Sequence, residues 1–476
     1  MTRRFYLESL GCKANEYDGQ MVHRALMERG WEATGSRGEA DLVVVNSCTV
    51  TDEADRQSRR TAARLARRNP SAQVVITGCG AEVAPDRMAA SPGVDLVVGN
   101  QDKHRLVDLV EEALNKRTPL TVLGGATPYT SVRARHEADR TWPEPEAAFE
   151  APLSTGRRTR TYLKVQEGCD AFCTFCIIPH ARGPARSLRP SSLVQHVRGV
   201  MAQGSEEVIL TGTALDAYGH DLGPSVSLED LVELILRETN VPRLRLGSLD
   251  PPAVSARLLE LMESEPRLCP HIHLSLQSPH SEVLRKMKRR YRQRDVDERL
   301  TALHELGERL GKSRGLAGGV FVGMDVITGF PGESPAIFQW TLDHLASLPW
   351  HRLHVFPYSE REGTAATRLP DAVPPQERKE RVSALMALST ERLQHHCHRV
   401  SRSESTLQVI VEGPATRLSG IDGTPGLSGV TPNYLRVYAN CDNPAELRGR
   451  RVSVRPVGVH TDHRAGDAAI IGRLAS

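Results

Sequence analysis

The feature that most constrains this chain is a group of three cysteines, Cys169, Cys173 and Cys176, within residues 163–179. The spacing Cys-x3-Cys-x2-Cys allows a short loop to place three thiolates around one face of an iron–sulfur cluster, which is usually held by four cysteines. Three ligands leave one iron open to a small molecule. The alternatives at this point are a structural zinc completed by His180 and three cysteines that are simply buried in a core.

The composition indicates a globular protein that does not depend on disulfides. Its 476 residues predict about three domains, and 39% hydrophobic with 25% charged residues fits a folded chain. Nine cysteines are too sparse for a disulfide scaffold, so clustered ones favour metal binding. No apolar run reaches the ~20 residues that cross a bilayer, and none near the start fits a signal peptide. We therefore expect a cytoplasmic protein with no membrane partner.

The net charge of only +3 gives no general signal for a polyanionic partner. The basic residues are nevertheless grouped in two predicted helices, at 56–68 and at 285–294. We interpret both groups as solvated helix faces, although they are also compatible with RNA binding.

Residues 1–125 predict a doubly wound α/β domain, because short apolar segments alternate with charged helices. The predicted buried parallel strands are Phe5–Ser9, Leu42–Asn46, Val74–Thr77 and Leu96–Val98. Cys12, Cys48 and Cys79 each follow one of the first three strands. Because the carboxyl ends of parallel strands meet at one sheet edge, we expect the three thiols to converge in a second three-cysteine cluster site. Three unrelated buried cysteines are the alternative.

Residues 126–155 are rich in proline and lack periodicity, so they predict a linker. Residues 156–385 then predict a partial (β/α)6 barrel, since six strands are too few for a closed eightfold barrel. The six strands are Tyr162–Gln166, Glu207–Thr211, Leu244–Leu246, Ile272–Leu276, Met324–Thr328 and Arg352–Phe356. The cysteine loop follows the first strand, at the barrel mouth. Thr211, Gly212 and Gly329 lie in glycine-containing turns after later strands, where the backbone can approach a nucleotide-like ligand.

Residues 386–402 predict a polar connecting helix, in which His395, His396, Cys397 and His398 occupy an ordinary surface and do not share an ion. Residues 403–476 predict a small all-β barrel, with strands at 406–411, 434–438, 451–456 and 469–473 and glycines such as Gly426 in the turns. Its arginines offer cationic contacts to an oligonucleotide. A structural or protein-binding barrel is the alternative. We interpret the isolated Cys269 and Cys441 as structural.

In this order the chain resembles the radical S-adenosylmethionine (SAM) methylthiotransferases. The resemblance rests on the cysteine loop, with Phe175 before its last cysteine, and on three motifs at 9–18, 45–51 and 77–81. It implies an auxiliary [4Fe–4S] cluster on Cys12, Cys48 and Cys79 and a SAM-binding [4Fe–4S] cluster on the loop cysteines. It also implies that the C-terminal barrel is an RNA-binding TRAM domain. The expected SAM contacts are Phe175, Thr211, Gly212, Gln277, Ile327 and Gly329, and the expected RNA contacts are Arg436, Arg450 and Arg451.

Within this family the chain is most similar to the threonylcarbamoyladenosine-tRNA methylthiotransferases, through residues 11–17, 286–291 and 353–364. The resemblance implies that a radical replaces the adenine C2 hydrogen by a methylthio group, just 3′ of the anticodon. The implied partners are the tRNA anticodon loop, an electron donor such as flavodoxin or ferredoxin, and a sulfur source. The alternatives are the same chemistry on isopentenyladenosine in tRNA or on a ribosomal-protein aspartate, and a non-catalytic zinc-bearing RNA-binding protein. The chain departs from the family pattern at Pro279-His280 and at 182–189.

Overall fold

The computed structural model describes residues 2–115, 159–403, 405–415, 426–462 and 466–475. The predicted linker at 126–155 therefore lies outside the described residues.

The N-terminal part is a parallel five-stranded sheet with the strand order β2-β1-β3-β4-β5. Its strands are β1 (Arg4–Ser9), β2 (Glu32–Ala33), β3 (Leu42–Ser47), β4 (Gln73–Gly78) and β5 (Leu96–Val98). Its helices are α1 (Lys13–Glu28), α2 (Asp52–Arg68), α3 (Cys79–Val83), α4 (Pro85–Ala89) and α5 (Leu106–Asn115). The four predicted strands are confirmed.

Helices cover both faces of this sheet, because its central strands are apolar on both sides. Leu42 and Val44 of β3 pack on the side of α1 and α5. Val43 and Val45 of the same strand pack on the side of α2, α3 and α4. Such a strand reads as a continuous apolar run and is typical of parallel sheets.

The central part contains seven parallel strands and one short antiparallel strand in two four-stranded sheets, β7-β6-β8-β9 and β10-β11-β12-β13, which together are called the central barrel. Its strands are β6 (Thr161–Glu167), β7 (Arg186–Ser187, antiparallel to β6), β8 (Val208–Gly212), β9 (Leu244–Leu246), β10 (Ser248–Leu249), β11 (His271–Gln277), β12 (Phe321–Thr328) and β13 (Arg352–Pro357). Gly247 separates β9 from β10. The third predicted strand, Leu244–Leu246, coincides with β9, and β10 was not predicted. All six predicted strands are confirmed.

The helices of the central part lie outside these strands and enclose the largest apolar core. They are α6 (Ile178–Arg182), α7 (Pro190–Ala202), α8 (Leu228–Glu238), α9 (Ala256–Ser264), α10 (Ser281–Lys286), α11 (Gln293–Arg314) and α12 (Pro335–Ser347).

The connecting helix differs from the prediction in length and in environment. Helix α13 (Pro375–Ser401) begins well before residue 386. His396 and Cys397 are buried, so the prediction of an ordinary surface for them was wrong. Cys397 packs with Leu393 and with apolar residues of the C-terminal strands. The sequence pattern of the helix is polar because His395 and His398 do face solvent.

The C-terminal part is a closed barrel with the strand order β14-β15-β16-β18-β17. Its strands are β14 (Leu407–Pro414), β15 (Gly426–Val430), β16 (Arg436–Asn440), β17 (Arg451–Asp462) and β18 (Asp467–Leu474). Strand β15 was missed, because Gly426 was interpreted as a turn residue. Its second glycine, Gly429, faces the backbone of Ile410 so closely that no side chain fits there. A glycine in a strand can thus mark close backbone approach.

The C-terminal barrel covers the amino-terminal end of the central strands. Arg243 donates to the backbone oxygen of Gln408 at 2.8 Å, and Asn433 Nδ2 donates to the backbone oxygen of Ala317 at 2.9 Å. The open carboxyl-terminal end of the central strands faces the N-terminal sheet instead. Across the described ranges, no helix combines the length and the hydropathy that a membrane span requires.

Candidate functional site

The loop that carries Cys169, Cys173 and Cys176 leaves strand β6 through a strained turn. Gly168 has a φ of 75° and no space for a side chain. The Cys169 amide then donates to the backbone oxygen of Gly183 at 3.0 Å, and the Cys176 amide donates to that of Cys173 at 3.0 Å. These bonds fold the loop so that its three cysteines lie together at the mouth of the central barrel.

The far side of the loop is fixed to the opposite wall of the mouth. Thr174 donates through its hydroxyl to the backbone oxygen of Lys286 at 2.8 Å and through its amide to that of Met287 at 3.1 Å. The Ala366 amide donates to the backbone oxygen of Thr174 at 2.8 Å. The loop is therefore held from three separate segments of chain, as a preorganised ligand set requires.

Arg289 brings a buried positive charge to this loop. Its guanidinium donates to Cys173 Sγ at 3.2 Å and pairs with Asp250. The prediction of a solvated helix face for Arg289 was wrong. Helix α10 ends at Lys286, and the chain turns inward at Lys288, where φ is 62°. The guanidinium therefore offers both a hydrogen bond and a positive charge to the Cys173 sulfur.

Cys12, Cys48 and Cys79 converge at the carboxyl edge of the N-terminal sheet. Cys12 precedes α1, Cys48 follows β3, and Cys79 begins α3. A side chain at Gly11 would lie 2.6 Å from Cys48 Sγ. Residue 11 must therefore be a glycine if Cys48 is to lie beside the turn before Cys12. Burial, together with the neighbouring Cys79 and Cys12, raises the pKa of the Cys48 thiol to about 12.

Both triads fit an iron–sulfur cluster better than a single zinc ion. All six thiols are free of disulfides. Four ligands around one zinc, at Zn–S distances of about 2.3 Å, would stand roughly 3.8 Å apart. Among the described residues, three His, Cys, Asp or Glu ligand atoms come within 4.8 Å of one another only at His273, Asp325 and His354. The cysteine triads are therefore more widely spaced, as ligands of a multi-iron cluster are.

A buried network of charges connects the two triads. Asp18 of α1 accepts from Lys164 Nζ at 2.6 Å, from Arg182 at 3.0 Å and from Lys103 Nζ at 3.0 Å. Glu167 lies immediately before the loop of Cys169, Cys173 and Cys176, the SAM-type loop. It pairs with both Lys164 and Arg182. Burial opposes ionisation of Asp18, yet the three cations hold its pKa well below the ordinary value. Removing one member leaves the others buried without full compensation.

The Asn100 side chain bridges the N-terminal cysteine triad and the helix that follows the SAM-type loop. Its amide donates to the backbone oxygen of Ala181, in the helix that follows the SAM-type loop, at 3.0 Å, and to Cys79 Sγ at 3.4 Å. Arg182, the next residue, interacts electrostatically with the Cys79 and Cys12 thiols. Asn100 and Arg182 thus connect the helix that follows Cys176 to the N-terminal cysteine triad.

The expected SAM contacts line this mouth from several strands. Phe175 and Ile327 pack against one apolar cluster with Phe330, whose ring meets that of Phe175 edge to face at 6.5 Å between centroids. Gly329 follows Ile327 and adopts a φ of 76°. Gln277 ends β11 with a φ of 62°, an uncommon value for a residue other than glycine. Their contact with SAM stays a prediction.

Gln166 connects two turns at the mouth of the central barrel. This role was not predicted from the sequence. Its amide donates to the backbone oxygen of Gly168 at 2.8 Å, and its carbonyl accepts from the Ala214 amide at 2.8 Å. It therefore ties the start of the cysteine loop to the turn after Thr211 and Gly212. A glutamine inside a predicted buried strand was the available signal, because a buried polar side chain requires specific partners.

The expected RNA contacts differ in environment. Arg436 donates to Glu412 at 2.9 Å and to Ser428 at 2.9 Å, and Arg451 pairs with Glu206 at 2.7 Å. Arg450 is exposed, and within the described ranges it has no ion-pair partner. Their contact with RNA also stays a prediction.

Comparisons with known proteins agree with this architecture. Residues 4–99 match the family described as Uncharacterized protein family UPF0004, and residues 163–345 match the Radical SAM superfamily. The chain is 33% identical over 429 residues to the threonylcarbamoyladenosine tRNA methylthiotransferase MtaB of Bacillus subtilis, which covers 90% of this chain and 88% of that protein. It is 36% identical over 405 residues to MtaB of Aquifex aeolicus, covering 85% and 92% of the two chains.

The chain is also 31% identical over 470 residues to the ribosomal protein uS12 methylthiotransferase RimO of Desulforudis audaxviator, covering 95% and 98% of the two chains. Among solved structures, the radical SAM methyltransferase TsrM of Kitasatospora setae aligns with a TM-score of 0.54 at 16% identity, over 75% of this chain and 72% of that chain. This likeness concerns the fold alone. The α/β class and the radical SAM domain are thereby confirmed, and the chain belongs to the radical SAM methylthiotransferase family.

Proposed function

We propose that this protein is a tRNA methylthiotransferase that replaces the C2 hydrogen of N6-threonylcarbamoyladenosine, 3′-adjacent to the anticodon, by a methylthio group. The observation that carries the proposal is the pair of three-cysteine sites at one mouth, joined by Asn100 and the Asp18 network. Relatives that carry this activity in their names align with most of the chain, which supports the substrate.

The residues at the mouth have separate tasks in this proposal. Cys169, Cys173 and Cys176 would hold the SAM-binding [4Fe–4S] cluster, and Cys12, Cys48 and Cys79 an auxiliary [4Fe–4S] cluster. When bound, these groups would pass on the electron that cleaves SAM and present the sulfur that is inserted.

The surrounding chain positions the reactants and protects them. Arg289 donates a hydrogen bond to the Cys173 sulfur, and Gln166 holds the loop in place. Phe175 and Ile327 give the SAM site an apolar wall that excludes water. Turns at Thr211, Gly212, Gln277 and Gly329 would contact the nucleoside of SAM.

The C-terminal barrel would act as a TRAM domain and bind tRNA outside the anticodon loop, with Arg436, Arg450 and Arg451 near phosphates. Exposed Arg450 is the first candidate, because the other two already have ion-pair partners in the described structure. We also propose a cytoplasmic enzyme that takes electrons from a flavodoxin- or ferredoxin-type donor and sulfur from a separate source. The proposed division of the chain is 1–125, 156–385 and 403–476, with the linker and α13 between.

The test is mass spectrometry of nucleosides from tRNA of cells with and without the gene. We expect 2-methylthio-threonylcarbamoyladenosine to disappear and its unthiolated precursor to accumulate. Loss of 2-methylthio-isopentenyladenosine instead would assign the isopentenyladenosine alternative. Unchanged tRNA together with loss of a methylthio group from a ribosomal protein would assign that of the uS12 relative. Either of these outcomes would overturn the substrate proposal.

A further inference from the structure

Three polar side chains, His273, Asp325 and His354, meet inside the central barrel on the neighbouring strands β11, β12 and β13. The residues next to them in sequence, such as Leu274 and Met324, pack outward into the core against the helices. Because side chains alternate along a strand, the three polar groups face the barrel interior. They take no part in the function described above.

The geometry orients one histidine toward open space. Asp325 Oδ1 lies 2.9 Å from His273 Nε2 and 3.3 Å from His354 Nδ1. Gly323 has no side chain and so provides the space that the His273 ring occupies. A Cβ atom at this position would stand 2.9 Å from His273 Nδ1. The His354 side chain is 46% exposed. Its second ring nitrogen has no partner in the described part of the chain and is available to a ligand.

This cluster lies one layer below the mouth. Asp325 is paired with His354, and two residues nearer the carboxyl end Ile327 is paired with Phe356. Two residues of a strand span about 7 Å. A ligand at the Ile327 level therefore reaches the cluster with a substituent of a few bonds.

The interior is closed below by the C-terminal barrel. Tyr434 stacks on His271 at 4.3 Å between ring centroids and lies under the Arg245 guanidinium, which stands 4.9 Å from the ring centroid. In the described structure, Arg245 Nη1 and His271 Nδ1 are buried without a hydrogen-bond partner. Buried polar atoms of this kind are usually satisfied by a ligand or water.

Lys13, the residue after Cys12, reaches the same space, where it interacts electrostatically with Asp325, Tyr434 and Arg245. Within the described residues, no carboxylate lies within ion-pair distance of its side chain. Its amine and the buried, unpartnered Arg245 Nη1 can both donate hydrogen bonds to a carboxylate there.

We propose that this lumen, formed by Lys13, His273, Asp325 and His354 above the Tyr434 floor, is the subsite for a carboxylate-bearing substituent of the substrate base. Under the proposed function, on which this inference rests, that substituent is the threonylcarbamoyl group on N6. C2 and N6 leave the adenine ring in different directions, so a base with C2 at the SAM site directs its N6 arm into the lumen. His354 and Lys13 receive the carboxylate, and Asp325 orients the His354 ring.

The polarity of the subsite also explains discrimination against a hydrocarbon arm. An isopentenyl group would bury the free ring nitrogen of His354 and the amine of Lys13 without giving either of them a hydrogen-bond partner, which opposes its binding. Sites built to bond a polar substituent reject analogues that lack it.

The test uses the cluster-loaded protein and two anticodon stem-loop RNAs that differ only in carrying threonylcarbamoyladenosine or plain adenosine. His354→Leu and Lys13→Gln should each raise Kd for the modified RNA about tenfold, as expected for loss of one charged hydrogen bond, and leave Kd for the plain RNA unchanged. His398→Leu, an exposed histidine of α13, is the matched control and should change neither.

Equal weakening for both RNAs by His354→Leu, or no weakening, would overturn the subsite. A stoichiometric divalent metal other than iron, lost on His354→Leu, would overturn it as well. Methylthiolation by the unsubstituted protein separates the two proposals. If that protein modifies the threonylcarbamoyl RNA and His354→Leu weakens binding of both RNAs equally or of neither, only the subsite fails. If the unsubstituted protein leaves this RNA unmodified, the proposed function fails.

Discussion

Cys173→Ala is expected to abolish SAM cleavage, whereas Cys48→Ala is expected to retain it and lose sulfur insertion. Cys173 lies in the loop at the barrel mouth, where the open iron would bind SAM, and Arg289 donates to its sulfur. Cys48 follows strand β3 of the N-terminal sheet, beside Gly11, and belongs to the other triad. Each substitution should lower the affected step by more than about 100-fold, since a cluster with two ligands loses its iron.

The measurement follows 5′-deoxyadenosine and the methylthio nucleoside separately by liquid chromatography and mass spectrometry. Cys441→Ala is the control, because Cys441 belongs to neither triad, and both products should form at the unsubstituted rate. Methylthiolation by the Cys48→Ala protein would refute the division of labour between the triads.

Arg182→Met is expected to lower the free energy of unfolding by about 3 kcal/mol, because it leaves Asp18 and Glu167 buried with one cation fewer. It should also lower the yield of methylthio product per SAM cleaved, since Arg182 links the SAM-type loop to the helix that follows Cys12. Chemical denaturation and the ratio of the two products measure these effects.

Arg257→Met is the matched control for this substitution. Arg257 also pairs with two carboxylates, Asp230 and Glu233, but its side chain is 45% exposed whereas that of Arg182 is 2% exposed. Exposed ion pairs contribute at most about 1 kcal/mol. Equal destabilisation by the two substitutions would contradict the role assigned to burial, and an unchanged product ratio in Arg182→Met would contradict the coupling.

The strands and the two cysteine triads were predictable because each has a local signal. Continuous apolar runs such as Leu42–Asn46 mark buried parallel strands, and the recurrence of a cysteine after each strand follows from the topology. The SAM-type loop is likewise one short segment. In each case the information lies within a few neighbouring residues.

The links between the sites were not predictable, because they join residues far apart in sequence. Asp18 and Arg182 meet only after two sheets have formed and docked. In the sequence, Arg289 cannot be distinguished from the basic residues around it. It lies inward because helix α10 ends at Lys286. Cys397 is buried because the C-terminal barrel packs on a helix whose own pattern is polar.

Iron and sulfide analysis with Mössbauer spectroscopy tests the central claim of two cluster sites most directly. The anaerobically reconstituted protein is compared with two triple variants, Cys12→Ala/Cys48→Ala/Cys79→Ala and Cys169→Ala/Cys173→Ala/Cys176→Ala. We expect each variant to retain about half of the iron, with the spectrum of a single [4Fe–4S] cluster. Unchanged iron content in either variant, or zinc in place of iron in the unsubstituted protein, would contradict the account.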